Sequence, residues 1–272
     1  MSAITRFLPK NHLSFIVGKL VHLKLPLFLT RFIITRFAKA YKIDLTEAEF
    51  PIERYESLGE FFIRRLKPGL RPVAISWAVH PADSVITQAD TIRAGKLIQA
   101  KDKTYSVQQF THDSQAFEKW DQGVFLTYYL CPTDYHRVHT PVDGKIVRMI
   151  HIPGALWPVN SWSTKNVHEL FSINERVLVE IETDRGLVGV MFVAATNVGQ
   201  VILSFDSEVV GNQFKISGSY EKFYQIAIKK GDELGAFRMG STIVMMYAKG
   251  ALPNPQVQKY VGQPVKVNSA LE

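Results

Sequence analysis

The chain has 272 residues, 46% hydrophobic and 21% charged, a composition ordinary for a soluble globular protein with an ample core. Its single cysteine, Cys131, excludes an internal disulfide and points to a reducing compartment. The net charge of +7 is unevenly placed: residues 1–43 carry eight Lys or Arg and no Asp or Glu, so the other 229 residues sum to −1.

Such a localised excess suits nucleic acid, an anionic membrane surface or a targeting peptide. Large apolar residues from Phe15 to Phe37 interleave with the bases, whereas nucleic-acid binders carry fewer aliphatics there, so no nucleic-acid partner is expected. Lys24, Arg31 and Arg36 keep every uncharged apolar run below the ~18 residues that span a bilayer, and no clear secretory signal is present. The expectation is a basic amphipathic segment, 1–43, lying in a membrane interface, with Pro26 separating helices at roughly 11–24 and 27–41. Packing of these helices on the protein's own core is the alternative.

Further along, Ser57 with Glu60 three residues on marks a helix over 57–66, stopped by Lys67-Pro68-Gly69. Beyond residue 73 the texture is strand-like: 124–130, 176–181, 187–193, 225–228 and 243–247 are β-branched or aromatic runs bounded by turn residues. Short helices are predicted near 105–110 and 164–171. The pattern reads as an α+β protein, with N-terminal amphipathic helices over 1–43 followed by a β-rich catalytic domain over 44–272.

Three clusters could carry chemistry. His80-Pro81-Ala82-Asp83 places an Asp in a turn before a strand, which by itself is a common turn former. Asp134-Tyr135-His136-Arg137-Val138-His139 sets two His three apart in a chain with only eight. Gly240-Ser241-Thr242 precedes a strand, although Gly218-Ser219 repeats the dipeptide. Together they supply Asp, His and Ser, the set that activates a hydroxyl. A serine hydrolase built on Asp83, His139 and Ser241 is therefore one reading, without the Gly-x-Ser-x-Gly elbow of α/β-hydrolases. A zinc site on His136 and His139 would need a bent backbone, since residues i and i+3 face opposite sides of a strand; no metal is expected. A lipoyl-like carrier hairpin lacks a Met-Lys-Met tip.

The clusters belong to a wider set of motifs: Val159-Asn160, Asn174-Glu175-Arg176-Val177, Val193-Ala194-Ala195-Thr196-Asn197-Val198-Gly199 and the run from Lys230-Gly231-Asp232-Glu233 to Phe237-Arg238-Met239-Gly240-Ser241-Thr242. In this order and spacing they resemble bacterial phosphatidylserine decarboxylase, from the N-terminus to within about thirty residues of the C-terminus. Met239 stands where the family usually has Leu, and Ser84 where Gly usually follows the Asp.

The resemblance implies that His139 and Asp83 activate Ser241 to attack the Gly240 carbonyl. An N→O acyl shift, elimination and loss of ammonia would leave a β chain of residues 1–240 and an α chain that begins with a covalent pyruvoyl group made from Ser241. That group is the implied cofactor. It would condense with the amine of phosphatidylserine and accept the electrons released with CO2; His136 would donate the proton that completes phosphatidylethanolamine. The implied location is peripheral, on the cytoplasmic side of the cell membrane, against an anionic surface. A homodimer is left open.

Overall fold

The protein is described by a computed structural model of residues 17–100, 103–196, 200–209, 218–238 and 241–271, with residue 241 described by its backbone. Residues 1–16, Asn197–Gly199, Met239 and Gly240, all used in the sequence reading, lie outside the described residues.

The N-terminal part is helical. Pro26 occupies the N-cap of a helix at Leu27–Tyr41, and Lys42 closes it in the left-handed region at φ 54°. One face of this helix is buried: Ile34 and Ala38 pack with Ile43, Tyr55 and Phe61. The other leaves Leu27, Phe28 and Phe32 exposed. Ser57 caps the next helix by accepting from the Glu60 amide at 3.1 Å, as its sequence position predicts. That helix covers only Leu58–Phe62, short of the predicted 57–66. The chain leaves it early because Leu66 bridges Ala48 and the Lys67 N–H reaches the Glu47 carbonyl at 2.9 Å. The helix expected over 164–171 is likewise two, Ser161–Asn166 and Leu170–Ile173, broken where Glu169 adopts φ 49°.

The rest is β-rich. In chain order come β1 (Ser84–Thr91), β2 (Lys96–Ala100), β3 (Lys103–Ser106), β4 (Val124–Leu130), β5 (Arg137–His139), β6 (Gly144–Ile152) and β7 (Arg176–Thr183). They are followed by β8 (Gly186–Ala194), β9 (Val201–Leu203), β10 (Tyr220–Ile228), β11 (Glu233–Phe237), β12 (Ser241–Tyr247) and β13 (Pro264–Val265). An eight-stranded antiparallel sheet runs in the order β10-β6-β7-β8-β12-β4-β1-β13, beside a three-stranded sheet β5-β11-β9 and the hairpin β2-β3. Pro264 sits on the edge strand, where a missing donor costs no ladder bond.

Both faces of the large sheet are covered, which is why β12 reads as an unbroken apolar run. Ile243, Met245 and Tyr247 pack toward Val138, Leu203 and Phe237 of the small sheet. Val244 and Met246 pack toward Leu97, Tyr105, Trp120 and Phe171 of the hairpin and short helices. No helix among the described residues is long and apolar enough to cross a membrane.

Candidate active site

Ser241 opens β12 at the centre of the large sheet, its backbone paired with Leu130 at the end of β4 and Ala194 at the end of β8. Both neighbouring ends lead into motif residues. Beyond Leu130 the chain turns through Cys131–Asp134, with the Cys131 N–H donating to Asp134 Oδ2 at 2.8 Å, and reaches His136 and β5. Beside Ala194, Asn174 donates through Nδ2 to the carbonyls of Ala194 and Trp157, each at 2.9 Å, and accepts from the Trp157 amide at 3.0 Å. Arg176, also buried, donates to the carbonyls of Gln109, Phe110 and Asn174. Asn160 caps the Ser161–Asn166 helix by accepting from the Ser163 amide. Thus the Asn174–Arg176 motif braces the end of β8 beside Ser241, while Asn160 caps the neighbouring helix.

His136 is fully buried, its ring 4.0 Å from that of Phe62. Its Nδ1 donates to the Asp134 carbonyl at 2.8 Å, which fixes the tautomer and leaves Nε2 as an acceptor. That Nε2 is buried and has no partner among the described residues. Burial pushes the His136 pKa down to about 3, so the ring is neutral near pH 7. The backbone carbonyl of His136 accepts from the Phe237 amide at 3.0 Å, which ties it to the end of β11, just before the 238–241 segment.

His139 lies at the other end of β5, opposite Glu233. Its Nδ1 donates to the Gly231 carbonyl at 2.7 Å, and its Nε2 accepts from the Tyr135 hydroxyl at 3.0 Å. Gly231 adopts φ 89° in the turn that presents this carbonyl, a conformation glycine takes without strain. Burial lowers the His139 pKa, opposed by the Gly231 bond and the Glu233 charge.

Asp83 is 2% exposed and precedes β1. Arg71 holds it with two bonds, Nε to Oδ1 at 3.2 Å and Nη2 to Oδ2 at 2.8 Å. Lys266 Nζ and the Val267 amide add bonds at 3.1 and 2.8 Å. Burial alone would raise the Asp83 pKa; Arg71, the Val267 N–H and Lys266 outweigh it and hold the carboxylate below its ordinary value. Ser84, in the place of the family's Gly, has no positive φ.

The structure therefore brings His136 to the Ser241 end of the small sheet, and joins His139 to the Asp83 segment through the His139 N–H and the Pro81 carbonyl at 2.8 Å, with the Asp83 charge acting on the His139 ring. No hydrogen bond links the Asp83 carboxylate to His139; its partners are Arg71, Lys266 and Val267. Sequence reasoning missed Arg71, Lys266, Tyr135 and Gly231 as partners. Tyr135 and Gly231 stood inside quoted motifs, but nothing local couples Arg71 or Lys266 to Asp83. Among the described residues no cluster of three or more His, Cys, Asp or Glu is arranged to hold a metal ion. On the β2-β3 side of β12, a cavity of about 330 Å³ is lined by residues including Gln88, Tyr129, Lys165, Phe171 and Thr242.

Comparison with known proteins agrees with this set of motifs. The family profile described as phosphatidylserine decarboxylase matches residues 58–271. A phosphatidylserine decarboxylase proenzyme of Anaeromyxobacter sp. (strain K) is 37% identical over 269 residues, covering 96% of this chain and 95% of that protein. Proenzymes of the same description from Vibrio cholerae serotype O1 and Legionella pneumophila are each 38% identical, covering 90% and 89% of this chain and 89% and 87% of their own lengths.

Proposed function

The chain belongs to the phosphatidylserine decarboxylase family and is an enzyme of that kind; from this premise we propose that it cuts its own Gly240–Ser241 bond, carries a pyruvoyl group derived from Ser241, and converts phosphatidylserine to phosphatidylethanolamine at an anionic membrane surface. The observation that carries the reading is His136: a buried imidazole with an unpartnered Nε2, tied through its backbone to the segment that enters Ser241. A buried acceptor without a partner is costly unless a reaction partner completes it. The residues present thus fit a pyruvoyl group at position 241. When bound there, such a group supplies an electron sink for loss of CO2.

The chain's own residues handle the proton that reaches carbon. Phosphatidylserine arrives with its amine protonated, and that proton must leave before the amine can act as a nucleophile. That proton passes to bulk solvent, because an imidazole of so low a pKa is too weak a base to take it. His136 Nε2 is instead the site from which a proton reaches the α-carbon after CO2 has gone. The depressed pKa makes the transient imidazolium a strong donor. Phe62, its ring tilted at 46° against the imidazole with centroids 4.0 Å apart, covers the ring and keeps water from the exchange.

For maturation, the family motif assigns His139 the proton of the Ser241 hydroxyl and Asp83 a supporting charge. With Nδ1 held by Gly231, His139 presents Nε2 as the base once Tyr135 lets go. Asp83 stays ionised through Arg71 and Lys266. Cytoplasmic, peripheral attachment follows from the basic, apolar N-terminal segment. Intact-mass measurement of purified protein tests the whole reading: two chains split at 240/241 are expected, the smaller with a blocked start, and a single full-length mass in an active preparation would refute it.

A further inference from the structure

Arg238 stands three residues before Ser241 and is half-buried. Its backbone N–H donates to the Gln200 carbonyl at 3.0 Å and its Nη1 to Gln200 Oε1 at 3.1 Å. Its Nε is buried with no partner among the described residues. A desolvated guanidinium with an unused donor is costly as it stands and is the natural partner of an anion.

What surrounds it suggests which anion. His22 lies close by, its pKa lowered by burial and then by the Arg238 charge. The His22 ring fills the space beside Gly59, where an added Cβ would sit 2.2 Å from Cε1. On either side of His22, Leu20 and Leu23 are exposed, continuing toward Leu27 and Phe28. Arg238 therefore lies between an exposed apolar and basic face on one side and His136, linked through Phe237, on the other.

Resting on the decarboxylase reading, we propose that Arg238 grips the phosphodiester of the lipid substrate. The substrate carries two anions, and the chemistry separates them. A cation on the carboxylate would stabilise the ground state and lose its partner as CO2 leaves, slowing the reaction. The phosphodiester keeps its charge throughout, so a cation there binds substrate and transition state alike. Three extended residues span at most ~10 Å, so the Arg238 Cα lies within about that distance of the Cα of residue 241. Two other cations are placed less well. Arg64 has unpartnered Nε and Nη1 atoms but is 5% exposed, too enclosed for a lipid headgroup. Lys165 is exposed and borders the cavity on the β2-β3 side of β12.

Arg238→Gln, Arg238→Lys and Lys165→Gln are compared in the full-length enzyme with a soluble short-chain phosphatidylserine. Arg238→Gln is expected to raise KM about tenfold or more while kcat changes less than about threefold, as loss of uniform binding requires. Arg238→Lys recovers much of the loss, and Lys165→Gln behaves as wild type. An unchanged KM in Arg238→Gln, or the same rise in Lys165→Gln, overturns the assignment. Because Arg238 is near the bond to be cut, Arg238→Gln is also placed in an uncleavable Ser241→Ala protein. Calorimetry then reads binding of short-chain phosphatidylglycerol, which has the phosphodiester and no amine, below its micelle concentration. A roughly tenfold weaker affinity supports the grip and equal affinity refutes it. An uncut wild-type chain would instead strike at the maturation reading, and this binding measurement would still decide the role of Arg238.

Discussion

The buried histidines set the acid limit of this protein and, on the proposed reading, its chemistry. His136 and His80 have pKa values lowered by burial to about 3 and about 4, against an unfolded value near 6.5. Between those limits the unfolded chain binds protons that the folded chain refuses, so stability is full above about pH 6.5 and falls as the pH drops. The slope approaches about 1.4 kcal/mol per pH unit for each such histidine. Urea midpoints at pH 7, 6 and 5 should decline accordingly, and His80→Phe should remove one histidine's share of the decline; a pH-independent midpoint would contradict the burial argument. The two motif histidines divide differently. His136→Ala should leave cutting at 240/241 intact but lower kcat by about 10²–10⁴-fold, the usual range for a lost general acid–base group; a variant that stays uncut would deny the division. Tyr135→Phe removes the hydroxyl that occupies His139 Nε2 at 3.0 Å. On a gel, that variant should be cut at least as fast as wild type, and slower cutting would make Tyr135 a relay instead.

At the scale of elements, the position of β12 decides what happens after a cut. It lies between β8 and β4 along its whole length, and Ile243 to Tyr247 are each fully buried. At about 2 kcal/mol for each buried large side chain, those five residues alone hold the small fragment by about 10 kcal/mol. The Asp83 bonds to Lys266 and Val267 add a second attachment. The two chains should therefore co-elute in native size exclusion and separate only in denaturant; spontaneous separation would show that β12 leaves the sheet. The same burial explains what was legible in the sequence. The predicted strand 124–130 coincides with β4, because a run buried on both faces announces itself. Only 225–228 of β10 was predicted, whereas the strand covers Tyr220–Ile228. It is an edge strand with a register shift between Phe223 and Ile226, and its alternation is too broken to read. The site was legible as motifs and not as bonds. Asp83 and Arg71 are twelve residues apart and Asp83 and Lys266 are 183 apart, pairings that only the folded sheet creates.

For the whole molecule the governing fact is polarity of charge. The eight bases of residues 1–43 face a remainder of −1, and the helix that carries three of them has one face in the core and one outside. Deleting residues 1–43 would uncover Tyr55 and Phe61, which pack against Ile34 and Ala38, so a truncation confuses binding with folding. The exposed face offers a cleaner test. Phe28 is 75% exposed and Phe32 56%, so Phe28→Glu with Phe32→Glu should leave the melting temperature within about 2 °C, as surface changes usually do. On vesicles containing phosphatidylglycerol, each Phe inserted into the interface contributes about 1.5–3 kcal/mol, so their joint loss should weaken binding well beyond tenfold. The electrostatic part is separable. Each Lys or Arg near an anionic surface contributes about 1 kcal/mol, and a Debye length that shrinks from about 10 Å at 0.1 M to 3 Å at 1 M screens it. Co-sedimentation should therefore fall with salt for the wild type and begin low for the double variant. Binding that survives both the substitutions and high salt would move the membrane contact to another face of the protein.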